Sequence, residues 1–343
     1  MTAYFNPNAA ESALIDALEG AEGWRAQLRD ATQRSGFPTK RDEHWKWSDL
    51  RAATRGITQP GALAIEGAGE GVIEPADGAR IDLTAHASAG ASAADRTLVI
   101  KANRHVTLVE RHAADDGALG NFHLKIDVEA GARLDRVILM PDSEGGVYVA
   151  SAEIVLGEGA SLNQTTLDFG GKLNRCETHV THPGNGAEAR LDAVYLLGKD
   201  RHGDQTSVVR HTGPGGRLSQ LAKGAASSGG QGVFRGKIIV ERAAQKTDAR
   251  MTHRGLLLGD RAEIDAKPEL EIYADDVQCA HGNALGAIDE TALFYMRQRG
   301  LPEAKARALL IESFLAEPLD GIADEGLRDE LRNLLRQRLE GLS

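Results

Sequence analysis

The sequence predicts a mainly β chain whose strands wind into a solenoid, with helical segments before and after it. Three observations carry that expectation. Apolar and polar residues alternate with period two, as where Phe122, Leu124, Ile126 and Val128 interleave with His123, Lys125 and Asp127, which is the pattern of a strand. A short motif recurs at Gly131-Ala132-Arg133-Leu134, Gly159-Ala160-Ser161-Leu162, Gly186-Ala187-Glu188-Ala189 and Gly215-Gly216-Arg217-Leu218, with glycines 28, 27 and 29 residues apart. The 343 residues hold only 3 Trp, 5 Tyr and 7 Phe against 39 Gly, so the core is built from small aliphatic side chains. Each coil of a solenoid touches only its neighbours and turns at equivalent places, which is why punctuation at a near-constant period points to one. A sandwich of evenly spaced strands is the competing architecture. Strict hexapeptide repeats are absent, which disfavours a left-handed acyltransferase-type helix.

In chain order, residues 1–79 are expected to form a helical cap region. Leu14, Ala17, Leu18 and Ala21 recur at helical spacing, Gly20 and Gly23 interrupt them, Trp24 and Leu28 continue an apolar face, and Gly36-Phe37-Pro38 stops it. Two short helices follow from this. Residues 80–286 are the β-helix core. Residues 287–343 return to helical period. Asp289 caps a helix through Leu293 and Met296 that ends near Gly300, Pro302 and Glu303 open another carrying Ala306, Leu309, Leu310 and Phe314, and Pro318 ends it. A last helix places Leu327, Leu331, Leu334, Leu335 and Leu339 on one stripe.

Composition narrows the function classes. A net charge of −10 argues against a general binder of nucleic acid or anionic membrane, although a local basic patch is compatible with it. Two cysteines, Cys176 and Cys279, are too few for a disulfide framework, so a reducing cytoplasm is the default compartment. The N-terminus lacks a basic region followed by an apolar run, and no stretch of 18 uncharged apolar residues occurs, so a soluble, untargeted protein is expected.

Chemistry concentrates in Tyr273-Ala274-Asp275-Asp276-Val277-Gln278-Cys279-Ala280-His281-Gly282. On a strand, Cys279 and His281 project from one face, and thiolate and imidazole are natural ligands for iron and zinc. Two ligands do not close a site; the alternative is a buried small Cys with a partly exposed His near a sheet end. His202, Asp204 and His211 match no standard metal spacing. His44, beside Trp45 and Trp47, suits packing with a polar edge better than catalysis. Gly229, Gly230 and Gly232 lack the Gly-Lys-Ser/Thr ending of a phosphate loop, and no G-x-S-x-G, H-E-x-x-H or paired C-x-x-C is present. A β-helical carbohydrate-active enzyme using Asp265, Glu269 and Glu271 is the alternative to a non-catalytic role. It is weakened because sugar sites need aromatic platforms and every Trp precedes residue 48.

Two blocks resemble the SufB/SufD iron–sulfur assembly scaffold family. The first is Arg41-Asp42-Glu43-His44-Trp45-Lys46-Trp47-Ser48-Asp49-Leu50-Arg51. The second runs from Ala262 through Lys267-Pro268-Glu269-Leu270 and Cys279-Ala280-His281-Gly282 into Leu293-Phe294-Tyr295-Met296-Arg297-Gln298-Arg299-Gly300, with Gln245-Lys246-Thr247-Asp248 before it. Within the family the residues side with the partner subunit rather than with SufB. The chain has His281-Gly282 where SufB typically has a His-Glu pair, and it reads Met251-Thr252-His253-Arg254-Gly255 where SufB typically carries a sulfur-accepting cysteine. Without a thiolate there, it cannot be the main persulfide carrier. The resemblance implies a right-handed parallel β-helix and a non-catalytic scaffold role beside SufB and the ATPase SufC. It implies docking of SufC on the C-terminal helices, for which Leu293, Met296, Leu309, Leu310 and Phe314 are candidates against their reading as helix core. It also implies that a nascent cluster is held at the SufB interface, with His281 as a ligand and Cys279 beside it. No cofactor is then expected on the isolated chain, a transient iron–sulfur cluster in the complex, and possible homodimer formation through the open solenoid end. No flavin motif is visible.

Overall fold

The computed structural model describes residues 5–341. Helix α1 (Ala9–Ala17) starts at Asn8, whose side chain accepts from the Glu11 amide while Glu11 Oε2 accepts from the Asn8 amide, a reciprocal cap that satisfies two N-terminal donors. Glu11 is fully buried, and Oε1 takes the Phe37 N–H at 2.8 Å and Arg51 at 3.2 Å. Helix α2 (Gly23–Ser35) stops at Gly36, and the one-turn α3 (Leu50–Ala53) is capped by Asp49.

The strands are β1 (Leu63–Glu66), β2 (Val72–Ile73), β3 (Arg80–Ala87), β4 (Gly90–Ile100), β5 (His105–Ala114), β6 (Ala118–Val128), β7 (Arg133–Met140), β8 (Val147–Leu156) and β9 (Ser161–Asp168). They continue with β10 (Leu173–His182), β11 (Glu188–Leu197), β12 (His202–His211), β13 (Arg217–Ala226), β14 (Gln231–Val240), β15 (Asp248–Leu257), β16 (Glu263–Ile272) and β17 (Gln278–Gly286). Odd strands build a nine-stranded sheet and even strands an eight-stranded one, each stacked in chain order, so one strand from each makes a coil. The result is a parallel β-solenoid of about eight turns, in which, among the described strands, only β1 runs antiparallel to its neighbour β3. Two short strands therefore precede residue 80, inside the stretch expected to be a helical cap.

The repeat legible in the sequence is the turn between sheets. Arg133, Ser161, Glu188 and Arg217 open β7, β9, β11 and β13 and lie in register with one another. The glycines two residues ahead, Gly131, Gly159, Gly186 and Gly215, all have positive φ, a conformation glycine adopts without steric cost. The ladder extends past the glycines: Asn103 and Lys246 hold the same place and the same left-handed backbone before β5 and β15. Several of these turns bond to the next coil, as in Asn103 N–H to Ala130 O (3.1 Å), Gly131 N–H to Glu158 O (2.9 Å) and Gly215 N–H to Gln245 O (2.8 Å).

Inside the coil, Leu98, Ile100, Val106, Ile126, Leu134, Ile138, Val209 and Val240 are fully buried in one continuous cluster. Each contributes about 1.5–3 kcal/mol on burial. The interior admits two tyrosines because glycines face them: Tyr148 lies where a side chain on Gly120 would be, and Tyr195 where side chains on Gly224 and Gly232 would be. Gly224→Ala is accordingly expected to cost about 1–3 kcal/mol by overpacking the Tyr195 ring. The check is a urea titration at constant m-value, and an unchanged midpoint refutes the packing account.

Helices cover both sheets. Leu14, Leu18 and Leu50 pack with Leu119, Val147 and Leu173 on the eight-stranded sheet. Beyond β17 come α4 (Glu290–Gln298), α5 (Glu303–Ala316) and α6 (Glu325–Glu340). Ile311, Leu315, Leu327, Leu331, Leu335 and Leu339 of α5 and α6 close over Val109, Val137, Leu167 and Val194 on the outside of the nine-stranded sheet. The three C-terminal helices and the leucine stripe are as the periodicity predicts. Among the described residues no helix is long and apolar enough to cross a membrane.

Candidate functional site

Strand β17 is the end of its sheet, paired with β15 on one side only. Its Cys279, His281, Asn283 and Leu285 stand in register with Ala249, Met251, His253 and Gly255 of β15, of which Ala249, Met251 and His253 are buried side chains of the interior. The β17 residues therefore belong to the inward-facing row, yet no later strand covers them. Cys279 is half-buried, and His281, Asn283 and Leu285 are exposed. Cys279 and His281 thus share a face at an open rim, as period two requires. Burial holds the Cys279 thiol above its usual range, against a hydrogen bond with the Ala249 backbone, so a metal taken up here displaces a proton. Among the described residues no group of three or more His, Cys, Asp or Glu side chains is placed to hold a metal ion.

Beneath the rim lies a hydrogen-bonded relay the sequence did not disclose. Asn283 Oδ1 is 2.7 Å from His253 Nδ1, and His253 Nε2 is 2.7 Å from the Tyr195 hydroxyl. His253 is fully buried, with its ring 4.8 Å from Phe234 and 6.0 Å from Tyr195, both nearly parallel to it. Burial lowers the His253 pKa and pushes the Tyr195 phenol well above its usual range. The only sequence signal was a histidine, His253, at an inward position of an alternating run.

The other histidines do not converge. His211 is buried against His182, ring centres 4.5 Å apart, while His202 and Asp204 meet Ser48, at 3.0 and 2.5 Å from its Oγ. Within the Arg41–Arg51 block, Ser48 and Trp45 meet this part of the sheet. Ser48 donates to Asp204, and Arg175 binds Asp204 (2.5 Å) and Glu177 (2.9 Å) while lying 4.2 Å from the Trp45 ring. Glu43 reaches Lys267 on β16 at 2.6 Å. His44 itself is exposed, so the packing expected of it is done by Trp45. Two of the three carboxylates suspected of glycan cleavage are engaged in ion pairs, Glu269 with Lys267 (3.2 Å) and Glu271 with Lys237 (2.6 Å), while Asp265 meets Gln231 at 3.5 Å.

On the C-terminal helices the exposed apolar surface differs from the expected one. Leu293 is 2% exposed and offers nothing to a partner, because it faces inward on α4. Phe314 is half-buried, packs on the helix–sheet core and carries Lys223 4.5 Å above its ring. Met296 and Leu310 are also half-buried. The exposed side chains are Phe294 (62%), Tyr295 (59%) and Leu309 (39%), of which the sequence reading named only Leu309.

Comparison with known proteins bears on this geometry. A family model described as the SufBD core domain of the SUF system for FeS cluster assembly matches residues 83–314, from β3 to α5. The iron–sulfur cluster assembly protein SufD of Escherichia coli K12 is 35% identical over 216 residues, 63% of this chain and 51% of that protein. A SufBD family iron–sulfur cluster assembly protein of Synechocystis is 30% identical over 251 residues, 70% of this chain and 55% of that protein. SufD of Bacillus subtilis is 24% identical over 266 residues, 68% of this chain and 61% of its own length. The chain spans about half the length of the first two of these relatives.

Proposed function

Because this chain belongs to the SufBD family of the SUF system, we propose that it is a non-catalytic scaffold subunit that pairs with SufB and the ATPase SufC to build and pass on nascent iron–sulfur clusters. Relatives named as iron–sulfur cluster assembly proteins support the role, and the comparisons bring nothing in favour of the carbohydrate-active alternative. One observation carries the reading: the solenoid ends on a rim where an imidazole and a thiol of the inward-facing row are left uncovered by any further strand, with no third ligand beside them among the described residues. A cluster is cargo here, held between chains, with His281 and Cys279 from this side and thiolate and carboxylate from SufB. The chain has no resident cofactor in this reading and works in the cytoplasm. The unpaired edges of β16 and β17 suit a sister solenoid, or a second copy when the chain is isolated.

Residues 1–79 serve as a cap, 80–286 as the cluster-presenting core and 287–343 as the ATPase dock, centred on Phe294, Tyr295 and Leu309. Hydrolysis in SufC then acts as a lever, favouring one of two arrangements of the helices it grips. Co-expression of the full chain with SufB and SufC tests this. A ternary complex with iron-dependent visible absorption is expected, and Phe294→Asp combined with Tyr295→Asp is expected to lose SufC while keeping SufB. Equal SufC capture by the double variant removes the dock from α4. Failure to recover SufB, SufC and iron together, or glycan turnover by the isolated chain, overturns the scaffold reading. Ending the chain near Gly286 is a poorer test, because it uncovers the apolar outer face that α5 and α6 bury.

A further inference from the structure

The relay under the rim fixes more than a fold. Asn283 Oδ1 can only accept, so His253 Nδ1 carries the proton that joins them at 2.7 Å. Buried and neutral, His253 then has an unprotonated Nε2, which accepts from the Tyr195 hydroxyl, also at 2.7 Å. Phe234 and Tyr195 lie along the imidazole faces and hold its plane. The Asn283 carbonyl is thus committed inward, and its Nδ2 has no partner among the described residues. That amide lies on the exposed rim on the same strand face as His281, about 7 Å away along the strand.

We propose that Asn283 presents a preset N–H donor to the sulfide or thiolate of a cluster held at His281, with His253 and Tyr195 as the positioning residues that aim it; this rests on the scaffold reading above. Hydrogen bonds to cluster sulfur set potential and lability, and removing outer-sphere partners of this kind costs about 10–100-fold in metal affinity.

Two measurements test it. In the free full chain, ¹⁵N-histidine spectra assigned by a His253→Phe variant are expected to show the Nδ1–H tautomer. The Nε2–H tautomer would mean that the amide is turned round and presents its oxygen, and the proposal fails. In the complex with SufB and SufC, Asn283→Leu is expected still to load a cluster but to lose iron to a chelator about 10–100-fold faster, at a more negative potential. A parental rate and potential overturn the proposal. If Asn283→Leu does not fold, the tautomer in the unaltered chain decides. The scaffold reading fails separately, if SufB, SufC and iron are not recovered together with the unaltered chain, and a His281→Ala complex that loads at the parental rate removes the imidazole as a ligand; neither outcome touches the tautomer result.

Discussion

His281→Ala, carried by the full chain in complex with SufB and SufC, is expected to lower the rate of cluster formation by at least about tenfold, because direct ligands matter no less than the outer-sphere groups whose loss costs that much. The substitution is a clean one. His281 is exposed at the rim and its side chain makes no hydrogen bond or ion pair among the described residues, so stability and partner capture are expected to stay level. Cys279→Ser is expected to do less, since burial keeps its thiol protonated. Iron and acid-labile sulfide recovered per complex provide the readout. A His281→Ala complex that assembles clusters at the parental rate shows that the imidazole is not a ligand.

The largest expected loss of stability lies elsewhere, at Arg175→Met. Arg175 is fully buried and is the cation for Asp204, itself buried, and for Glu177. Removing one partner of such a group strands the other without water, at about 3–5 kcal/mol, a large share of the roughly 5–15 kcal/mol by which a domain is stable. The same change takes away the surface on which Trp45 rests, so the N-terminal segment is expected to loosen as the core weakens. Urea unfolding followed by tryptophan fluorescence reports both effects. A midpoint within about 0.5 kcal/mol of the parent refutes the structural role of the cluster.

Much of the architecture is legible in the sequence because coil geometry repeats. Gly131, Gly159, Gly186 and Gly215 mark equivalent turns because each needs a left-handed backbone, and the helical stripe from Leu327 to Leu339 lies on the sheet it was patterned to meet. Asn103 and Lys246 take the same backbone with side chains that disguise it, so the repeat looked shorter than it is. Cys279 and His281 were recognisable as a pair by alternation alone. Their exposure depends on β17 being the last strand, which no local pattern states. Long-range polar pairing was the least visible. Nothing near Ser48 announces Asp204, 156 residues on, and nothing near Tyr195 announces His253. Leu293 takes the helix-core alternative of its two readings, and helical spacing gives the apolar stripe but not which neighbour covers it, so the exposed Phe294 and Tyr295 beside it were not among the docking candidates.

Strand β17 runs into α4 across residues 287–289. A tug on that helix therefore enters the stack at its free margin, where each bond to β15 is loaded in turn, as in a zipper, rather than all together as in shear. Peeling of this kind needs little force and leaves the coils behind it undisturbed. A pull on α4 would therefore disturb first the strand that bears Cys279 and His281.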